Sequence, residues 1–139
     1  MSDPSYSSIW TEEYSVNIKL FDLQHERLVL LICRLEAAMK AGLGSEQVME
    51  IASDLADYCG EHFATEEAVM KAYDFPWRDR HALEHRRFLA TIADLQTQSR
   101  SGERAVSVTL LDQMKEWLCQ HVLGSDKQYT EHLNARGMF

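Results

Sequence analysis

Cysteine, proline and glycine are all scarce in this chain, at 3, 2 and 6 of 139 residues. The cysteines, Cys33, Cys59 and Cys119, are odd in number, far apart and set within helical patterns, which argues against a disulfide framework; they read as reduced packing residues. Positive charge is also short: 14 Lys and Arg face 22 Asp and Glu, a formal charge of -8. A nucleic-acid or anionic-membrane surface needs clustered basic residues, so neither partner is expected. The longest apolar run, Leu28 to Cys33, is far too short to cross a bilayer as a helix. The opening "MSDPSYSSIW" has no basic start leading into an apolar stretch, so no signal peptide is expected and the expected location is cytoplasmic.

With so few helix breakers, the apolar residues fall into long stripes with helical spacing. Phe21, His25, Leu28, Ile32, Leu35 and Met39 form the first, and Val48, Ile51, Leu55, Tyr58, His62, Glu66, Val69 and Tyr73 the second. His81, His85, Phe88, Ile92 and Leu95 form the third, and Leu110, Met114, Trp117 and His121 open a fourth. The breaks fall at "AGLGS", "DFPWRD" and "RSGERAVS", with Gly42 expected as a C-terminal cap and Ser45 and Ser107 as N-caps. These signals predict an all-α, antiparallel up-down-up-down four-helix bundle over residues 18–139. Residues 1–17 form an N-terminal arm that Trp10 and Tyr14 fasten to it. No repeat or linker points to a second domain.

The stripes carry residues that a core does not ordinarily hold. Five of the six histidines, His25, His62, His81, His85 and His121, lie on them, as does Glu66. A lone histidine there is usually a satisfied core residue, but five from four helices need many partners at once, and a buried carboxylate is costly unless paired or coordinated. "HFATE" puts His62 and Glu66 one turn apart, and "HALEH" does the same for His81 and His85. Glu67 lies off the stripe and is expected to face solvent or an outer shell, while Glu84 points away from the site.

The fourth stripe turns polar after His121 and becomes apolar again if one residue is skipped, at Asp126, Tyr129 and Leu133. A π-bulge between 121 and 126, eased by Gly124, produces such a slip. The alternative is a regular helix with a wide face through Leu118, Val122, Asp126, Tyr129 and Leu133. Both readings turn Asp126 inward.

Seven ligands exceed one tetrahedral zinc and hold too few oxygens for calcium or magnesium. Imidazoles mixed with carboxylates suit iron, copper, nickel or zinc, and a site inside a four-helix bundle is like that of the di-iron carboxylate proteins, whose two six-coordinate irons offer twelve positions. Five imidazoles, two bridging carboxylates and a bridging hydroxide then leave one position open. Leu28, Phe63, Trp117, Leu118 and Val122 would keep that position dry, although core packing alone accounts for such residues. No inward histidine has a glutamate three residues before it, unlike the Glu-x-x-His pairs of oxygen-activating di-iron proteins, and only two carboxylates are present. Such a centre favours reversible binding over oxidation.

Trp10 followed in order by "FDLQHERL", "HFATEEAVM", "HALEHRRF" and "WLCQHVLGSDKQY" resembles the hemerythrins, and within them the single-domain bacterial forms, over nearly the whole chain. The resemblance implies two non-haem irons bridged by Glu66, Asp126 and an oxo or hydroxo group. His81, His85 and His121 would hold one iron, and His25 and His62 the other, with its open position for dioxygen. The family's pocket positions fall on Leu28, Phe63, Trp117, Leu118 and Val122. "VNIKLFD" lacks the glycine and isoleucine-aspartate common in the family before the first ligand, and Val122 stands for a common isoleucine, so pocket shape is the property most open to change. The expected role is oxygen transport, storage or delivery without catalysis. The competing roles are an oxygen, nitric oxide or redox sensor acting through a signalling partner, and a di-iron oxidoreductase. Iron storage ranks last.

Overall fold

The structure, a computed structural model, describes residues 12–42, 44–101 and 104–139. Four long helical segments follow one another: α1 (Lys19–Lys40), α2 (Ser45–Ala72), α3 (Arg78–Ser101), and a last segment made of α4 (Arg104–Gln120), a π-helical stretch (His121–Asp126) and α5 (Lys127–Asn134). Each packs on the next, and the last closes onto α1, completing an all-α four-helix bundle. Trp10 lies outside the described residues. Tyr14 does anchor the segment before α1, its hydroxyl donating to Cys119 Sγ at 3.5 Å. Val16 and Ile18 are buried, and Thr130 Oγ1 donates to the Val16 carbonyl.

Local signals explain the helix ends. Asp22, in the first turn of α1, accepts from the Val16 amide at 2.7 Å and from Ser15 Oγ at 2.6 Å, and its charge suits the helix N-terminus. Gly42 follows the C-terminus of α1 with φ 73°, the left-handed conformation expected of a capping glycine. After α2 the same position falls to Asp74, at φ 54°. There the Phe75 amide reaches the Met70 carbonyl at 2.8 Å and the Asp74 amide reaches Lys71, which stops the helix without a glycine. The expected N-caps shift. Gly44 is the N-cap of α2 and Ser45 its first helical residue, while α4 begins at Arg104 and places Ser107 inside the helix.

The core follows the stripes with one adjustment. In α2 the fully buried line is Val48, Ala52, Leu55, Cys59, Phe63, Glu66 and Met70, whereas Ile51, Tyr58, Val69 and Tyr73 are half-buried. Each fully buried Leu, Ile or Phe contributes about 1.5–3 kcal/mol, and Phe21, Leu28, Ile32, Leu35, Leu55, Phe88, Ile92 and Leu95 are all in this class.

The π-helical stretch spans His121–Asp126, so the phase slip is real and the regular-helix alternative is set aside. The extra residue per turn brings His121 and Asp126, five positions apart, onto one buried face. Gly124 is exposed there, and an added Cβ would meet nothing within 4 Å. Glycine is therefore not sterically required at this position. Gly124→Ala should leave metal retention unchanged and raise stability by up to about 1 kcal/mol, measured by denaturant unfolding. Loss of metal from that variant would show that the glycine shapes the π turn.

Candidate metal centre

All seven predicted ligands converge in the middle of the bundle, each 5% exposed or less. Each helical segment supplies part of the set: α1 gives His25, α2 gives His62 and Glu66, α3 gives His81 and His85, and the π-helical stretch gives His121 and Asp126. They form two groups that share Glu66. Glu66, His81, His85, His121 and Asp126 make one, and His25, His62 and Glu66 the other, with the ligand atoms of each group within 4.8 Å of one another.

The carboxylates lie across the division. Asp126 Oδ1 is 2.8 Å from His81 Nε2 and 2.9 Å from His121 Nε2, while its Oδ2 is 3.0 Å from His25 Nε2. Glu66 Oε1 is 3.2 Å from both His62 Nε2 and His85 Nε2, and Oε2 is 3.5 Å from His25 Nε2.

These atoms are close but misaligned for hydrogen bonding to each other. His25 Nε2, His81 Nε2, Glu66 Oε1 and both Asp126 oxygens are buried without a hydrogen-bond partner among the described residues. Such groups are costly when left alone, and a cation shared between them answers the need.

Outer partners support this assignment. His62 Nδ1 donates to Gln24 Oε1 at 2.6 Å, His85 Nδ1 to Glu67 Oε2 at 3.0 Å and His121 Nδ1 to Glu84 Oε2 at 2.9 Å. A carboxylate only accepts, so the Nδ1 proton is fixed at His85 and His121 and each Nε2 is turned to the centre, as metal-binding histidines require. Those two Nε2 atoms lie 3.2 Å apart. Tyr129 donates to Glu66 Oε2 at 2.5 Å, orienting the shared carboxylate.

Sequence reasoning missed several of these partners. Glu84 was expected to point away, but it turns to a ligand on the facing helical segment instead of its own neighbour His85. Glu67 does occupy an outer shell, on His85. Gln24 carries no expectation, and Tyr129 is expected on the inward face as an apolar residue rather than as a donor to Glu66; an acceptor beside a ligand histidine and a phenol after Asp126 are the available signals.

Electrostatics describe the metal-free site. Burial drives His121 and His25 toward the neutral form, but the adjacent Asp126 charge outweighs it and holds them at about 10 and about 9. Burial raises Glu66 and Asp126, and the surrounding histidines nonetheless keep both well below the usual carboxylate range. The His121 hydrogen bond lowers Glu84 to about 2.

Protons on His25 and His121 thus stand where cations would bind, and metal must displace them. Loading at pH 7 should release protons from both, and affinity should rise with pH until about 10, as deprotonation of His25 and His121 is completed. A titration in weak buffer with a pH indicator checks this; an affinity that stays flat from neutral to alkaline pH would contradict it.

The predicted pocket residues take different places. Leu28, Phe63, Leu118 and Val122 are buried in the core. Phe63 stacks on His85 at 3.9 Å between ring centroids and lies 5.7 Å from His62, so it touches both histidine groups. Trp117 is half-buried and stacks on His121 at 4.3 Å and on Phe88 at 4.3 Å, which puts it beside the five-residue group. Cys33 and Cys59 are buried, and Cys119 is half-buried rather than packed inside.

Four helical segments converging histidines and carboxylates on a dry centre define a metal-binding four-helix-bundle protein. The family model described as the hemerythrin HHE cation binding domain matches residues 16–133. The chain belongs to the hemerythrin family, which implies binding of non-haem iron. It is 27% identical to the bacteriohemerythrin of Stenotrophomonas maltophilia strain R551-3, covering 91% of this chain and 82% of the relative. It is 30% identical to that of Ralstonia nicotianae, covering 92% and 90% respectively. The crystal structure of a wild-type hemerythrin superposes with a TM-score of 0.80 at 27% identity, covering 89% of this chain and 95% of that one.

Proposed function

We propose that the chain binds dioxygen reversibly at two non-haem irons, for oxygen transport, storage or delivery, and is not an enzyme. Asp126 carries this reading: one of its oxygens faces His81 and His121 and the other faces His25, the disposition of a carboxylate spanning two metal ions. Glu66, common to both groups, would be the second bridge. His81, His85 and His121 would complete one iron, and His25 and His62 the other. With fewer protein donors on the His25 and His62 side, an iron held there would be the one with room for a ligand. A pair of irons supplies the reversible redox chemistry that holds and releases dioxygen.

The protein's own residues set the direction of that chemistry. Five neutral imidazoles and two carboxylates bring little negative charge, so higher oxidation states gain little stabilisation. Glu67 and Glu84 hold His85 and His121 in place, and Gln24 holds His62. Leu28, Phe63, Leu118 and Val122 exclude water, and no polar side chain among these pocket residues can deliver a proton to a bound ligand.

Oxygen consumption by the iron-loaded protein with an excess of reductant separates binding from catalysis. Uptake that stops at a stoichiometric amount is expected. Sustained consumption over many turnovers would replace this reading with a di-iron oxidoreductase. A sensing role would instead require a protein partner that binds in one oxygen state only.

A further inference from the structure

The ligand's route to the buried centre can be read from the clefts around the bundle. Beside His81 a recess lined by Trp77, Arg80, Glu84, Ser125 and Gln128 touches the site directly, but it has no room for a water-sized sphere, and Glu84 is bonded to His121 across it. Beside Tyr58 a wider and more open hollow is lined by Leu23, Gln24, Glu26, Arg27 and Leu30, so that charged and polar groups share its surface with apolar ones.

The seam between α1 and α4 differs. It holds a cleft of about 150 Å³ lined by Val29, Ile32, Lys115, Glu116, Leu118 and Cys119. Val29, Ile32 and Leu118 are buried and make an apolar floor, while Lys115, Glu116 and Cys119 are at least partly exposed and make the rim. Val29 lies four residues beyond His25 on α1, and Leu118 lies three before His121 and four before Val122. The floor therefore stands about one helical turn, roughly 5.4 Å along the axes, from the metal ligands.

Farther along the same seam, Lys115 Nζ donates to Glu36 Oε2 at 2.5 Å, and Lys40 bonds the same carboxylate at 2.8 Å. That end is charged and braced, which leaves the apolar cleft as the soft part of the seam.

We propose that this cleft is the portal for dioxygen: the ligand collects on Val29, Ile32 and Leu118 and passes inward as the Leu118 and Val29 side chains move. The proposal rests on the dioxygen-binding reading above. An uncharged diatomic loses nothing on an apolar floor, whereas water and anions give up hydrogen bonds there. Enclosed apolar cavities of similar volume take up xenon for the same reason, and the floor of this half-open cleft offers the same kind of surface.

Two independent measurements test the portal. In crystals pressurised with xenon, the wild-type protein should show xenon in the cleft and Val29→Phe should show none; a wild-type cleft without xenon overturns the proposal whatever the protein binds. In stopped-flow measurements on the reduced iron-loaded protein, Val29→Phe should slow dioxygen association and release alike by about tenfold, equivalent to roughly 1.4 kcal/mol on the barrier, with Kd unchanged. Val29→Ala, which shrinks the side chain, should speed both.

Cys119 offers a second block on the native chain, since a bulky thiol reagent reaches it at the rim while Cys33 and Cys59 are buried. The labelled protein should show the same paired slowing. Unchanged rates in both the labelled protein and Val29→Phe, or a change confined to Kd, would overturn the portal. A wild-type protein that takes up xenon in the cleft but no dioxygen at its irons would instead overturn the functional reading.

Discussion

Replacing Asp126 with alanine should empty the centre of metal. Asp126 lies within 3.0 Å of the Nε2 atoms of His25, His81 and His121, which come from three helical segments, and it is fully buried. Its loss removes a donor from both histidine groups together with one of the only two carboxylates there. The effect on metal affinity should exceed the roughly 10–100-fold that loss of an outer partner costs. Glu67→Ala, which removes a half-exposed outer partner of His85, supplies that comparison. Without metal, Asp126→Ala should also destabilise the fold by about 3–5 kcal/mol, the cost of breaking a buried charge pair. His25 and His121 then lose the charge that keeps them protonated, and both should titrate lower. Metal analysis after dialysis checks the first effect, and equal losses for Asp126→Ala and Glu67→Ala would refute the bridging assignment.

Phe63→Ala should be the most destabilising apolar substitution around the site. The ring is 2% exposed, stacks on His85 with an interplanar angle of 5°, and meets Phe88, Trp117 and His121 edge-on. Truncating a buried phenylalanine costs about 3–5 kcal/mol, a large share of the roughly 5–15 kcal/mol that holds a domain folded. A second effect follows from its place. The cavity would open beside His85 and within reach of His62, so water would enter a region that the ring keeps dry. The reduced, oxygenated protein should therefore oxidise irreversibly faster. Urea unfolding measures the first effect and decay of the oxygenated spectrum the second. A loss under about 1 kcal/mol would mean that the surrounding rings close the gap.

The inward-facing groups were legible because burying a polar residue at helical spacing is rare enough to stand out. His25, His62, Glu66, His81, His85 and His121 were visible as stripe members, and Asp126 through the slip in phase that the π turn produces. The partners of those residues were not legible in the same way. Gln24 meets His62 and Glu84 meets His121 across helix interfaces, and a one-dimensional period says nothing of how two helices are rotated against each other. The same limitation hid Glu36, a buried carboxylate that Lys115 reaches from α4. In α2 Ile51, Tyr58, Val69 and Tyr73 mark the edge of the buried face, whose centre runs through Ala52, Leu55, Cys59, Phe63, Glu66 and Met70. Gly124 stands in open surroundings that give no steric reason for a glycine.

The central claim is a two-iron centre that takes up and gives back dioxygen. The most direct test loads the reduced protein with ferrous iron without air, measures iron per chain, and follows the optical spectrum through repeated exposure to and removal of oxygen. The account predicts two irons per chain and an absorption band that appears with oxygen, vanishes when it is removed and returns undiminished over many cycles. One iron per chain, or a band that forms once and cannot be reversed, would contradict it.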